Sequence, residues 1–175
     1  MQGKTILVTG GAKRVGAAIV RRLHAAGANV AIHFRASAHD ALALRAELNE
    51  KRPDSAFTVQ ANLLDVAALS RVIEETVQQF GHLDALVNNA SSFYPTPLEK
   101  ANEQQWNDLL GTNLKAPVFL AQAAAAELSR CHGCIVNIVD IHADFPMHGH
   151  LLYARCSARS SASAPWCRSR RRRRS

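Results

Sequence analysis

The chain has 175 residues, enough for one domain with a sizeable core, and its 47% apolar content is ordinary for a globular protein. The net charge of +7 is misleading: residues 154–175 hold eight arginines and no acid, so residues 1–153 carry −1 and any nucleic-acid contact is confined to non-specific binding by the tail. No segment reaches the roughly 20 apolar residues of a membrane span, and no secretory leader pattern opens the chain, which sets the cytoplasm as the expected location.

Taken in order, the apolar run Thr5-Ile6-Leu7-Val8 reads as a short, fully buried strand. Thr9-Gly10-Gly11-Ala12-Lys13-Arg14-Val15-Gly16 follows, and then Val15, Ala18, Ile19, Arg22, Leu23 and Ala26 recur at helical spacing. A strand, a glycine-bearing turn and a helix start make a site for a dinucleotide's phosphates. Glycine lets the turn approach the pyrophosphate, and the N–H groups of the first helical turn face the anion. Gly10, Arg14, Val15 and Gly16 are the candidate contacts.

The spacing differs from the standard dinucleotide fingerprint. It resembles the T-G-x-x-x-G-x-G turn of the short-chain dehydrogenase/reductase family, with Arg14 where the middle glycine usually stands. In the form T-G-x-A-K-R-x-G it resembles the pteridine reductase branch. An arginine there sets a permanent cation beside the pyrophosphate, within reach of a substrate.

Ala28–Phe34 reads as the second strand, after Gly27 ends the first helix. An NAD-preferring site wants an acid near the end of this strand. Here the residues are His33-Phe34-Arg35-Ala36-Ser37, with no carboxylate. His33, Arg35 and Ser37 are placed with the cofactor, Arg35 and Ser37 suit a 2′-phosphate, and NADPH is the expected cofactor. Asp40–Lys51 has helical spacing through Leu42, Leu44 and Leu48, and Ala56–Ala61 reads as the third strand. The following Asn62-Leu63 resembles the family's strand exit toward adenine, with Asn62 as acceptor where Asp is usual. Asp65 suits an N-cap for a helix to about Phe80.

Leu83–Asn89 is the expected fourth strand, leading to Asn88-Asn89-Ala90-Ser91. The resemblance implies that Asn89 and Ala90 line the cofactor ribose. Ser91-Ser92-Phe93-Tyr94-Pro95-Thr96-Pro97 matches pteridine reductases, which implies that Ser91 bonds to cofactor or pterin and that Phe93 stacks on the pterin ring. A long helix is expected over about Gln104–Ser129, with Trp106, Leu109, Leu110, Leu114, Phe119 and Leu120 facing inward. Asn113 stands where the family keeps an asparagine at a disturbed turn, and Pro117 supports an irregular helix.

Ile135–Val139 reads as the fifth strand, ending at Asp140. Most family members have serine at that point and a Tyr-x-x-x-Lys helix about a dozen residues later. Here Asp140 is followed by Tyr153, and aspartate in place of serine is again the pteridine reductase choice. A carboxyl beside a phenol can share and relay a proton, so Asp140 and Tyr153, with Asn113, form the expected catalytic set. His142, His148 and His150 between them lack rigid ligand spacing, as does Cys131-His132-Gly133-Cys134, and no metal is expected.

The resemblance covers residues 3–153 and then stops. The lysine expected four residues after Tyr153 is Ser157, and from Ala154 the chain lacks apolar periodicity. The composition of that stretch suits a GC-rich gene read out of frame; a genuine disordered basic tail is the alternative. The expected architecture is therefore an α/β doubly wound parallel sheet (Rossmann-like) in the order 3-2-1-4-5. It is incomplete, lacking the last strands and helices, with residues 1–153 as the cofactor domain and 154–175 as tail. Since neither the helix after Tyr153 nor the substrate lid is expected to be present, Ser157→Lys alone is not expected to restore activity. The implied function is NADPH-dependent reduction of a pterin or dihydropterin, impaired in this chain. Alternatives are a generalist carbonyl reductase acting on a ketone or acyl carrier, and an inactive truncated product whose tail binds polyanions. Family members are usually homo-oligomers.

Overall fold

The computed structural model describes residues 1–145 and 147–160. Five strands form one parallel sheet: β1 (Thr5–Val8), β2 (Asn29–Phe34), β3 (Ala56–Gln60), β4 (Ala85–Asn88) and β5 (Cys134–Asn137). Their spatial order is β3-β2-β1-β4-β5, the doubly wound arrangement expected from the alternation of elements. Both faces are covered, which is why the inner strands are apolar throughout rather than alternating.

Helices α1 (Arg14–Ala25) and α2 (Ala38–Lys51) cover one face, where Ile6, Val8, Val30, Ile32 and Val87 meet Val20, Leu44 and Leu48. On the other face Leu7, Ala31, Val59 and Leu86 meet α3 (Ala67–Phe80) and α5 (Ala116–Arg130) through Leu69, Val72, Leu120 and Ala124. The period-two split of β1–β4 between the two clusters fixes their register.

Several expectations are corrected. Helix α1 buries Gly16, Ala17, Val20 and His24, whereas Val15 is 59% exposed. The smallest residues are turned inward so that the helix start can sit against the glycine turn. Leu42, which shares the helical apolar spacing of Leu44 and Leu48, is exposed on α2. The long helix exists but is interrupted. Helix α4 (Glu103–Leu110) runs through a π-helical turn at Gly111–Lys115 into α5. The added residue in that turn shifts the phase of the apolar stripe. Leu109 and Leu120 are buried, whereas Trp106 is half exposed in an outer groove with Leu64, Leu114 and Val118. Strand β5 ends at Asn137, not at Val139. Its partner β4 ends at Asn88, and the last ladder bond runs from Ile138 N–H to the Asn88 carbonyl at 2.9 Å.

The largest correction concerns the chain after Asp140. Residues Leu151–Ser160 form a helix, α6, so the boundary drawn at residue 153 falls inside an element. Leu152, Tyr153 and Cys156 lie on one face at i, i+1 and i+4 and pack on Leu109 with Tyr94, Ala101 and Leu110. Burial pushes the Cys156 thiol up to about 11, so it serves as packing and not as a nucleophile. The arginine run and Cys167 lie outside the described residues.

Candidate functional site

At the carboxyl end of β1 the chain turns through Thr9, Gly10 and Gly11 into α1. Gly10 has φ +61°, and a Cβ there would approach Ala90 Cα to 3.0 Å. A Cβ on Gly16 would lie 2.2 Å from the Gly10 carbonyl oxygen, so only glycine lets the helix start lie against the turn. Arg14 itself has φ +48°, a left-handed conformation that explains why glycine is usual at this position. Its side chain is exposed and makes no ion pair among the described residues. Lys13, its neighbour, is tied to Asp40 at 2.9 Å.

The turn is braced from β4. Thr9 Oγ1 donates to the Val87 carbonyl at 3.3 Å and accepts the N–H groups of Asn89 and Ala90 at 2.9 and 3.0 Å. Asn89 Nδ2 donates to the carbonyls of Thr9 and Gly10 at 2.9 and 3.1 Å. A tight turn with a cradle that any Cβ would fill, opening on the first turn of a helix, fits a dinucleotide's pyrophosphate.

The other cofactor candidates are distributed differently. Arg35 is exposed at the end of β2, and Ser37, at the α2 N-cap position, makes no side-chain capping bond. His33 is buried beneath the glycine turn, with both ring nitrogens bonded inside the protein. Asn62 is exposed, but its Oδ1 accepts from Leu64 N–H at 3.2 Å within its own turn, and Leu63 is buried.

The catalytic candidates meet beyond β4 and β5. A small cleft is lined by Asn88, Ala90, Ser91, Asn113, Asn137, Asp140 and Tyr153. Tyr153 O–H donates to Asp140 Oδ2 at 3.0 Å, and Asp140 Oδ1 accepts from His142 N–H at 3.0 Å. The His142 N–H holds the Asp140 carboxyl below its ordinary range; partial burial opposes this, and the Tyr153 hydroxyl reinforces it. Asp140 is therefore a carboxylate near neutral pH, and the shared proton rests on the phenol. Asn88 Nδ2 donates to Asn137 Oδ1 at 2.8 Å, while its buried Oδ1 has no hydrogen-bond partner among the described residues. One buried acceptor beside the cleft is thus left without a protein donor.

Phe93 stands half exposed at the mouth. Its ring meets Tyr153 edge to face at 4.7 Å between centroids, and His150 stacks on it at 4.9 Å. Ser91 lines the cleft, its hydroxyl donating weakly to the Ser92 carbonyl at 3.4 Å. Asn113, in the π turn, clamps the Ser92 backbone, accepting its N–H at 3.0 Å and donating to its carbonyl at 2.8 Å.

Two supporting residues escaped the sequence reading. Thr96 is fully buried between two prolines; its N–H donates to the Gly149 carbonyl at 2.6 Å, and its Oγ1 accepts from Leu152 N–H at 3.2 Å. Asp108 accepts from Tyr94 O–H at 3.0 Å. A threonine whose neighbours are both prolines is the only signal the sequence offered for the first, since proline leaves the donors of that segment to it. Among the described residues no cluster of three or more His, Cys, Asp or Glu could hold a metal ion. None of their helices is long and apolar enough to cross a membrane.

The profile of the short chain dehydrogenases matches residues 4–157. The chain belongs to this family. Among curated relatives it is 38% identical over 185 aligned positions to Pteridine reductase 1 of Leishmania tarentolae, covering 84% of this chain and 64% of that protein. It is 37% identical to the 3-oxoacyl-(acyl-carrier-protein) reductase FabG of Staphylococcus aureus, over 79% of this chain and 56% of that one. A Cladobotryum short-chain dehydrogenase/reductase, FrzI, is 33% identical over 89% and 59%. The chain thus spans a little over half of the length of these relatives. Members of the family use nicotinamide cofactors, and the short-chain dehydrogenase fold explains why turn, cleft and tyrosine lie along one edge of the sheet.

Proposed function

We propose that the chain carries the site of an NADPH-dependent oxidoreductase that reduces a pterin or dihydropterin, working in the cytoplasm. One observation carries the reading. The Tyr153–Asp140 hydrogen bond lies directly beside a half-exposed Phe93 whose ring meets the same tyrosine edge to face. A flat heterocycle resting on Phe93 lies within reach of the phenol's proton, and offset stacking adds ~0.5–1.5 kcal/mol to simple burial.

In this reading Gly10, Gly16 and the α1 N-terminus hold the pyrophosphate. Arg35 and Ser37 take the 2′-phosphate, and Arg14 lies between cofactor and substrate. The nicotinamide supplies the hydride when it is bound. Tyr153 gives its proton to the substrate nitrogen, and Asp140 orients the hydroxyl and stabilises the proton transfer from its other side. Ser91 hydrogen-bonds the ring.

The similarity to the acyl-carrier reductase supports a second reading, a carbonyl reductase acting on a 3-oxoacyl thioester. Calorimetric titration of the purified chain with NADPH, NADH, a dihydropterin and an acetoacetyl thioester separates the two. NADPH should bind at least about tenfold tighter than NADH, given the ~1.5–3 kcal/mol of a charge-assisted phosphate contact. Phe93→Ala should weaken dihydropterin binding and leave NADPH unchanged. Equal affinity for both cofactors refutes the role of Arg35 and Ser37. Thioester binding with no pterin binding replaces the first reading by the second.

A further inference from the structure

His33 is the penultimate residue of β2 and is 2% exposed, an unusual place for an imidazole in an otherwise apolar strand. Its ring lies under the glycine turn. Gly10 N–H donates to Nδ1 at 3.1 Å, and Nε2 lies 3.2 Å from the Ala61 carbonyl oxygen. The backbone adds a third link, from Gly11 N–H to the His33 carbonyl at 2.9 Å.

These partners settle the tautomer. A carbonyl only accepts, so Nε2 carries the proton. An amide N–H only donates, so Nδ1 presents its lone pair. The ring is therefore a neutral bridge with a direction, from the turn after β1 to the exit of β3. Ala61 is itself held by its N–H to the Phe34 carbonyl at 3.1 Å, and it immediately precedes Asn62 and Leu63. The two ends of the bridge are thus the pyrophosphate turn and the segment facing adenine. Gly10 N–H is engaged by the ring, so it is used for bracing and not for the ligand.

We propose that His33 is a positioning residue for the dinucleotide. It touches no part of the cofactor, but fixes the height of the Gly10–Gly11 turn over the sheet and locks it to the Ala61–Leu63 exit. This rests on the reading of the turn as a nicotinamide-dinucleotide site.

Two shorter side chains divide the bridge. An asparagine at 33 puts its amide near Nδ1 and keeps the Gly10 bond. A glutamine reaches toward Nε2 and keeps the Ala61 bond. Fluorescence titration with NADPH should show His33→Asn binding within about threefold of the wild type, and His33→Gln and His33→Phe at least about tenfold weaker. Nitrogen-15 NMR of the unliganded wild type should show the Nε2–H tautomer. Amide exchange at Gly10 should quicken in His33→Gln but not in His33→Asn. The NMR arms need no ligand, so they also stand if His33→Phe does not fold. Equal NADPH affinity in the Asn and Gln variants overturns the proposal, as does an Nδ1–H tautomer. A wild type that binds neither NADPH nor NADH, yet shows the tautomer and the exchange pattern, overturns the dinucleotide reading and leaves the bridge standing.

Discussion

Arg14 sets stability against function within one residue. Its φ of +48° places a branched cation in the left-handed region, where crowding of Cβ against the following carbonyl costs about 1–2 kcal/mol. Arg14→Gly removes that cost. The added freedom of the unfolded chain takes back about 0.4–1 kcal/mol, so the net effect lies between neutral and roughly 1.5 kcal/mol of stabilisation. Arg14→Ala keeps the strain and should leave stability near that of the wild type. For a chain of this length each kcal/mol moves Tm by about 2–4 °C, so the glycine variant should melt a few degrees above the alanine variant. Binding should respond in the opposite sense and equally in both. The guanidinium is exposed and has no ion partner among the described residues, so it is available to a bound anion. Losing a charge-assisted bond worth ~1.5–3 kcal/mol weakens NADPH binding by about 10- to 150-fold. Paired thermal melts and cofactor titrations of both variants provide the test. A glycine variant less stable than the alanine variant means that the turn is not left-handed at residue 14. Unchanged NADPH affinity means that Arg14 does not face the phosphates.

Two further outcomes follow from the same geometry. Acid should loosen the fold through its buried histidines: burial, then the Arg52 and Lys51 charges, lowers the pKa of His24, and burial brings His33 from 6.5 to about 4. Both folded values lie below the unfolded one, so their stabilisation is complete above about pH 6.5 and is lost as pH falls toward 4. For His33 this amounts to roughly 3 kcal/mol. Denaturant midpoints between pH 7 and 4.5 should fall in the wild type and fall less in His33→Asn; parallel decline rules out His33 as a source. The second concerns activity. Helix α6 continues past residue 157, so position 157 falls one helical turn after Tyr153 along the chain. Ser157→Lys, which the sequence reading expected to be ineffective, should therefore raise dihydropterin-dependent NADPH oxidation from near background by about 10²-fold or more, the scale of general acid catalysis. No rise would show that a cation at 157 cannot reach the site.

The sheet was legible because burial on both faces leaves no doubt about strands such as Ile6-Leu7-Val8 and Val30-Ala31-Ile32, and because glycines and prolines punctuate them. The geometry of the candidate site was legible at Gly10 and Gly16, which the tight turn requires to be glycine, and at Asp140 and Tyr153, which the fold brings into hydrogen-bond contact. Phase errors arose where a local event changed the period. Trp106 precedes the π turn and Leu120 follows it, so a single uninterrupted stripe could not contain both. Val15 shares the apolar spacing of the inward face but is exposed at the helix start, which agrees with its other place among the candidate cofactor contacts. Helix α6 was missed because its inward face is made of Leu152, Tyr153 and Cys156, set among alanine, serine and arginine. Its stability comes from tertiary packing and not from a periodic run.

That packing explains how Tyr153 keeps its place on a helix with so weak a sequence signal. Position and reactivity are supplied by different parts of the chain. Position comes from residues before and around Tyr153. Thr96 accepts the Leu152 N–H in the first turn of α6, Leu109 fills the inner face, and Phe93 meets the ring. Asn113 clamps Ser92 in turn, so the π turn, the Ser91–Thr96 segment and the start of α6 form one braced unit. A buried N–H that lost its acceptor would cost about 1–3 kcal/mol, which makes Thr96 the strongest single tie in that unit. Reactivity needs a further term, a positive charge one turn beyond the phenol, and the sequence provides Ser157 there. The cleft therefore has the geometry of a proton donor held against Asp140, with serine in place of lysine four residues after the phenol. On the proposed function, binding of cofactor and pterin does not need that charge and should be measurable in this chain, whereas turnover needs it.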